Sequence, residues 1–310
     1  MEEKTGIVVI GATFVDIKGY PLGKYRPNDR NAGRMVQVHG GVCRNVVEDI
    51  ANVGAKATFV SVVDYSGISD DVLKRLERHN ANTRYVLRTE DGLGTWLAIF
   101  NEKGDVVSQI SKRPNLDVLG SLLDSCGDEL IAGADSVAVE IDMDEVLLEK
   151  VFSLAERYGK DVYAVVSNMS IGKERLAFLP RVKCVVCNEE ESLLLFGRRF
   201  ERHETALLEA GIRQEMQRIG ISRVVVTMGG EGSFFIERDG ECGHVLARET
   251  KVVDTTGAGD AFFAGVTVGM TYGKGFRESC DLGTGMAAAV IATQENTCPS
   301  VASPKFYCSL

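Results

Sequence analysis

The run Val253-Asp254-Thr255-Thr256-Gly257-Ala258-Gly259-Asp260-Ala261-Phe262 sets two closely spaced glycines directly ahead of a carboxylate. The residues that follow, Phe263-Ala264-Gly265-Val266, carry on as the start of a helix. Gly257 and Gly259 allow a tight backbone turn that aims N–H groups at one point, and the positive end of the helix adds to the field there. A phosphoryl group suits such a concavity. Asp260 is placed to take a proton from an attacking hydroxyl while the transferring phosphate lies over the amides. The plainer reading of the same residues is a Gly-rich turn with Asp260 as a helix N-cap. The chemistry expected is phosphoryl transfer to an alcohol, with Asp260 as base and Gly257, Ala258 and Gly259 as the anion hole.

Asp16 and Asn45 fall at strand or turn ends, where a parallel sheet presents its ligand crevice. A carboxylate and an amide together can grip vicinal hydroxyls. Other tempting groups are set aside. Cys184-Val185-Val186-Cys187 has redox or metal spacing, but it lies in a strand-like stretch where residues three apart face opposite sides. His39, His79, His203 and His244 are scattered and form no zinc pattern. The phosphate-binding sequence Gly-x-x-x-x-Gly-Lys-Ser/Thr does not occur, and Gly283-Thr284-Gly285 follows a polar stretch rather than a strand, so a close-packed helix face is expected there.

These residues must be held by something. Ile7–Ile10, Thr58–Val63, Ser136–Val139, Val162–Val166, Lys183–Cys187 and Arg223–Thr227 are short, β-branched and nearly continuous in apolar residues, as buried parallel strands are. Arg44–Asn52, Ser69–Asn80, Asp144–Tyr158 and Ala206–Ile219 have helical spacing between them. The pattern predicts a twisted sheet with helices on both faces. It breaks twice, at about 14–39 and 85–112. In the second break, Thr95–Phe100 and Val106–Ile110 flank the turn Asn101-Glu102-Lys103-Gly104-Asp105, a hairpin signal. Met35–Val38 is expected to pair with that hairpin, giving a small sheet outside the main one that serves as a lid. Trp96–Phe100 is apolar on both faces, more than a lid needs; the surplus points to an interface, the plainer alternative being a strand buried in the core.

The whole chain, 1–310, is read as a single domain. Its 310 residues, 45% hydrophobic, are enough for a large core. A net charge of −9 argues against a general nucleic-acid or anionic-membrane binder and leaves small-molecule chemistry as the default. Eight cysteines are too dilute for a disulfide scaffold, and with no signal-like or membrane-spanning stretch a cytoplasmic location is expected.

The run Asp254-Thr255-Thr256-Gly257-Ala258-Gly259-Asp260 resembles the carboxy-terminal signature of the ribokinase-like, or PfkB, family of carbohydrate and nucleoside kinases, Asp-Thr-x-Gly-Ala-Gly-Asp, without a mismatch. Gly40-Gly41-Val42-Cys43-Arg44-Asn45 is similar to its amino-terminal Gly-Gly-x-x-x-Asn element, and Gly11 with Asp16 to its first substrate segment. Asp16-Ile17-Lys18-Gly19-Tyr20 and Asn28-Asp29-Arg30-Asn31-Ala32-Gly33 look most like the pseudouridine kinases of the family. The resemblance implies a three-layer α/β sandwich with a mostly parallel central sheet and a small β lid that also pairs subunits, hence a homodimer. It implies ATP and Mg2+ as cofactors, with Asn188, Glu191, Thr227, Gly229 and Gly232 on the nucleotide side. Glu191 would act on magnesium through water, although Asn188-Glu189-Glu190-Glu191 also reads as an ordinary capped helix start. K+ is an optional addition around Asp254 and Thr256. Asp16, Gly41 and Asn45 are implied to hold substrate, with Asn115 and Lys112 as weaker members of that set. One departure stands out: Val166-Ser167-Asn168-Met169 occupies the place of a frequent Asp-Pro pair. The implied reaction is phosphorylation of pseudouridine at its 5′-hydroxyl. The alternatives are a ribose or fructose kinase of the same family, and a non-catalytic ligand sensor on the same fold.

Overall fold

The computed structural model describes residues 5–165, 173–197 and 205–300. The Ser167-Asn168 departure therefore lies outside the described residues. In chain order the first elements are β1 (Gly6–Ile10), β2 (Phe14–Pro21), β3 (Gly33–Gly40), α1 (Val42–Asn52), β4 (Ala57–Val63), α2 (Gly67–Arg78), β5 (Asn82–Arg88), β6 (Gly94–Phe100) and β7 (Val106–Lys112). They are followed by α3 (Val118–Ala132), β8 (Ala134–Glu140), α4 (Glu145–Arg157), β9 (Val162–Val165), a 3₁₀ segment Lys173–Arg181, β10 (Val185–Asn188) and α5 (Glu189–Phe196). The last are α6 (Thr205–Ile219), β11 (Arg223–Thr227), β12 (Ser233–Glu237), β13 (Cys242–Val245), α7 (Ala258–Thr271) and α8 (Phe276–Ile291).

The main sheet runs β13-β12-β11-β10-β9-β8-β1-β4-β5, parallel from β11 to β5 and antiparallel at the β12 and β13 edge. Its strands alternate between two cores. Val8, Ile10, Val60, Val62, Val137 and Val139 face α3 and α4, while Ile7, Val9, Phe59 and Ala138 face α1 and α7. This period-2 division is what a strand buried on both faces must show, and it explains the near-continuous apolar runs. Cys187 joins the first core and Cys184 the second, so the two thiols point to opposite sides of β10.

The small sheet runs β3-β2-β6-β7. Two expectations need correction. Residues 85–88 belong to β5, which pairs in parallel with β4 in the main sheet, so the second lid segment begins at Gly94 rather than at 85. Tyr85 is buried in the main core, and the order β4-α2-β5 is an ordinary crossover unit. Met35–Val38 pairs with β2 and not with the hairpin; β2 in turn pairs in parallel with β6. The helix α3 was not anticipated either, because Gly120 and Gly127 interrupt its apolar pattern. Gly127 is there for packing, since a Cβ on it would lie 2.8 Å from Leu154 of α4. The Gly283 motif does sit on a helix face: a Cβ on Gly265 of α7 would come within 2.5 Å of the Gly283 Cα on α8. No helix among the described residues is long and apolar enough to cross a membrane.

Candidate active site

The strand order turns around at β1, whose neighbours are β4 and β8, and a crevice opens outside the carboxyl ends of such strands. The chain leaves β1 through Gly11 and enters β2, which carries Asp16 up into the small sheet. The chain returns along β3 through Gly40 and Gly41 to start α1. Both glycines are demanded by the geometry. A Cβ on Gly40 would lie 2.5 Å from the Asp16 carboxylate, and Gly41, at φ 97°, would set one 2.9 Å from Ala12 O.

From the first turns of α1, Asn45 reaches across to α7, where its Nδ2 donates to Asp260 Oδ2 at 2.7 Å. Its Oδ1 accepts from Arg44 Nη1 at 2.8 Å. Asn45 was expected to touch substrate; both ends of its carboxamide are already engaged by protein, which leaves one N–H for a ligand. Asp260 is the third residue of α7 and not its cap. That place belongs to Gly257, in the left-handed region at φ 81° with Asn296 O only 2.0 Å from where a Cβ would stand. Gly259 needs no such freedom, contrary to the sequence reading: its φ is ordinary and a Cβ on it would meet open space. Ala258 N–H is bonded to Thr255 O, but among the described residues the N–H groups of Gly259 and Asp260 have no acceptor. These are the orphan donors of a helix start. With the helix dipole behind them they form an anion seat.

The electrostatics suit a base. Burial pushes the Asp260 carboxyl up to about 7, the neighbouring Asp16 and Glu191 charges add to the rise, and the Asn45 hydrogen bond and Arg44 oppose it. Asp16 is raised to about 6, first by burial, with Lys18 and Arg44 pulling the other way. A carboxyl raised towards neutrality, with a second such carboxyl bearing on it, is suited to proton transfer.

Beside the anion seat lies a cleft of about 410 Å³, lined by Thr227, Gly229 and Gly232 as expected. Val252 and Phe262, which nothing in the sequence singles out, join Ala287 and Ile291, from the segment 287–296 that the family resemblance puts near the nucleotide, in its apolar wall, and Ala258 and Gly259 close one end. A flat aromatic base with a phosphate tail matches that shape and polarity. Gly232, at φ 95°, belongs to the turn after β11, where Val245 O would crowd any side chain to 2.0 Å.

Asn188 and Glu191 form the capping box of α5: Glu191 N–H donates to Asn188 Oδ1 and Asn188 N–H to Glu191 Oε2, each at 2.8 Å. The ordinary cap reading therefore holds. Glu191 nonetheless bears on Asp260, and burial raises its own pKa. Its Oε1 makes no hydrogen bond among the described residues, so a hydrated magnesium ion fits beside it through water. The pair Asp254 and Thr256 closes on itself: Asp254 Oδ1 accepts from both N–H and Oγ1 of Thr256. Lys18 and Arg75 line the same pocket, so its carboxylates, Asp254 and Glu295, already face two cations.

Asn115 is not brought to this group by any contact. It is exposed, and its Oδ1 accepts from Asp117 N–H ahead of α3. Lys112 is an exposed partner of Asp91 at 2.5 Å. Glu140 was missed. It is fully buried at the carboxyl end of β8, where Oε2 accepts from Ala12 N–H at 2.9 Å, and an acid closing an apolar parallel strand was the signal that could have found it.

Comparison with known proteins gives the family and the fold. The family model described as pfkB family carbohydrate kinase matches residues 4–302. The chain is 32% identical to guanosine-inosine kinase of Exiguobacterium acetylicum over 94% of its own length and 95% of the relative's. To pseudouridine kinase of Escherichia coli it is 24% identical, over 97% and 95% of the two chains. The structure of Arabidopsis thaliana ribokinase complexed with ribose and ATP superposes with a TM-score of 0.84 at 19% identity, covering 96% of this chain and 97% of that one. The fold is thus ribokinase-like.

Proposed function

The chain belongs to the pfkB family of carbohydrate kinases, which are ATP-dependent phosphotransferases, and on that premise we propose that it phosphorylates the 5′-hydroxyl of a ribonucleoside. The carrying observation is the Asp260 carboxylate, held at 2.7 Å by Asn45 on the first turn of a helix whose N–H groups are open to an anion. As the hydroxyl oxygen bonds to the terminal phosphorus and the bond to ADP breaks, Asp260 takes the hydroxyl proton. The Gly259 and Asp260 N–H groups face the equatorial oxygens, where charge accumulates. Glu191 would hold a magnesium ion through water, and the ion would supply charge neutralisation at the ATP phosphates. Asp16, ionised above about pH 6, accepts from the ribose hydroxyls. The small sheet covers the substrate, and a second copy of the chain is the occupant proposed for its outer face.

A 6-oxopurine nucleoside is the first candidate, since the more similar of the two nucleoside-kinase relatives is named for guanosine and inosine; pseudouridine is the second. ATP consumption by the purified protein decides between them. Guanosine or inosine should exceed ribose and fructose in kcat/KM by about 10²-fold, because the base adds contacts that a free sugar lacks. Asp16→Ala should lose a similar factor with the preferred nucleoside, the usual cost of leaving a buried hydrogen-bonding pair half made. Equal use of ribose would remove the nucleoside assignment. Ligand binding without turnover would make the protein a sensor. Exchanging K+ for a quaternary ammonium salt in the same assay reads whether a monovalent cation acts near Asp254 and Thr256.

A further inference from the structure

Arg44 is the largest fully buried side chain among the described residues, and it sits one residue from the asparagine that holds the base. A buried ion pair is seldom retained for stability, because desolvation offsets most of the Coulombic gain. The guanidinium has a better reason to be there. Its Nη2 is anchored on Glu48 Oε2 at 2.5 Å, and Glu48 is clamped in turn by Arg75 Nη2 at 2.8 Å and Thr297 Oγ1 at 2.7 Å. With that end fixed, Nη1 donates to Asn45 Oδ1 at 2.8 Å. We infer that Arg44 is a positioning residue, whose anchored guanidinium decides which way round the Asn45 carboxamide sits and so turns the amide N–H towards Asp260.

The logic is that of a donor and an acceptor. A carboxamide has two faces of nearly equal shape, and only one of them stabilises a carboxylate. Arginine has donors and no acceptor, so it can bind only the oxygen face of Asn45, and the NH2 face is left for Asp260. The same Nη1 reaches His39 O and Asn296 Oδ1, both at 3.3 Å. Asn296 Nδ2 bonds back to His39 O at 2.5 Å, and Asn296 O packs against Gly257. One guanidinium therefore ties together the return strand of the small sheet, the base and the turn that builds the anion seat.

The inference rests on the reading of Asp260 as base, and the experiment separates the two. Arg44→Lys is the main variant, because it keeps a positive charge beside Glu48 and preserves the fold, while a single ammonium cannot fork to Glu48 and Asn45 together. Its kcat should fall about tenfold with KM for ATP nearly unchanged. The acid limb of the pH profile should move up by roughly one unit, the size of a charge-assisted hydrogen bond to the ionised form. The other charged or titratable groups bearing on Asp260 are Asp16, Glu191, Asp49 and Cys43, and none of them is altered. Asn45→Ala should show the same displaced limb. Adding Arg44→Lys to Asn45→Ala should then move it no further, since nothing remains to be positioned. An unshifted limb in Arg44→Lys, or additive shifts in the double variant, would overturn the inference while Asp260→Asn still abolished turnover. Full turnover by Asp260→Asn would instead remove the base itself.

Discussion

Asp260 carries two demands that conflict, and the conflict is measurable. As the proposed base it must be ionised at working pH; as a buried group it prefers its proton, which is why its pKa is pushed up to about 7 from the ordinary 3.8. The sign of the stability effect follows. Between those two values the folded state holds the proton more tightly than the unfolded state does, so stability falls as pH rises through the window and the full cost is present above about pH 7. Asp260→Asn should therefore lose roughly 10²-fold or more in turnover. Its melting temperature should exceed that of the native protein by more at pH 8 than at pH 5. Near-native turnover in that variant would dismiss the base. A stability difference that did not grow with pH would dismiss the raised pKa.

The start of α7 assigns different duties to its two glycines. Gly257 is structural, with a left-handed backbone and the Asn296 carbonyl 2.0 Å from any Cβ, whereas Gly259 opens onto the cleft. Gly257→Ala should destabilise the protein by about 1–3 kcal/mol from strain in the turn. Gly259→Val should melt near the native temperature, yet lose turnover because its side chain stands where the phosphate approaches the amides. Thermal melts beside ATP turnover separate the two, and a Gly259→Val enzyme of native activity would move the phosphate elsewhere. The first turn of α1 belongs to the same device, since the positive φ of Gly41 sets the helix direction that delivers Asn45.

Across the molecule, the main sheet is covered on both faces while the small sheet is not. All of β7 is exposed, with Ile110 at 68%, and Met35 of β3 at 71%. Large apolar side chains on an uncovered sheet favour a self-complementary contact, and a second copy of the same sheet is the simplest one. Sedimentation velocity should give twice the chain mass, and Ile110→Lys should return a monomer. A native protein that sediments as a monomer at micromolar concentration would refute the dimer.

Sequence alone reached the two-sided parallel sheet, the presence of a small separate one, and the helix start on which the phosphate seat and the base are proposed. Each is a local matter: glycine spacing, helix start and apolar period are written within a few neighbouring residues. It treated Gly257 and Gly259 alike, because the carbonyl that crowds Gly257 alone comes from Asn296, far along the chain. It drew β5 into the lid and paired Met35–Val38 with the wrong strand, because pairing partners are chosen by the whole sheet and not by a strand's own composition. It gave Arg44 no role and passed over Glu140, types that are ordinary on a surface and become informative only when burial removes water and leaves each bond to be made within the protein. What only the tertiary structure decided was the meeting of Asn45 with Asp260, 215 residues apart in the chain and 2.7 Å apart in space, since α1 and α7 come together by covering the same face of the main sheet.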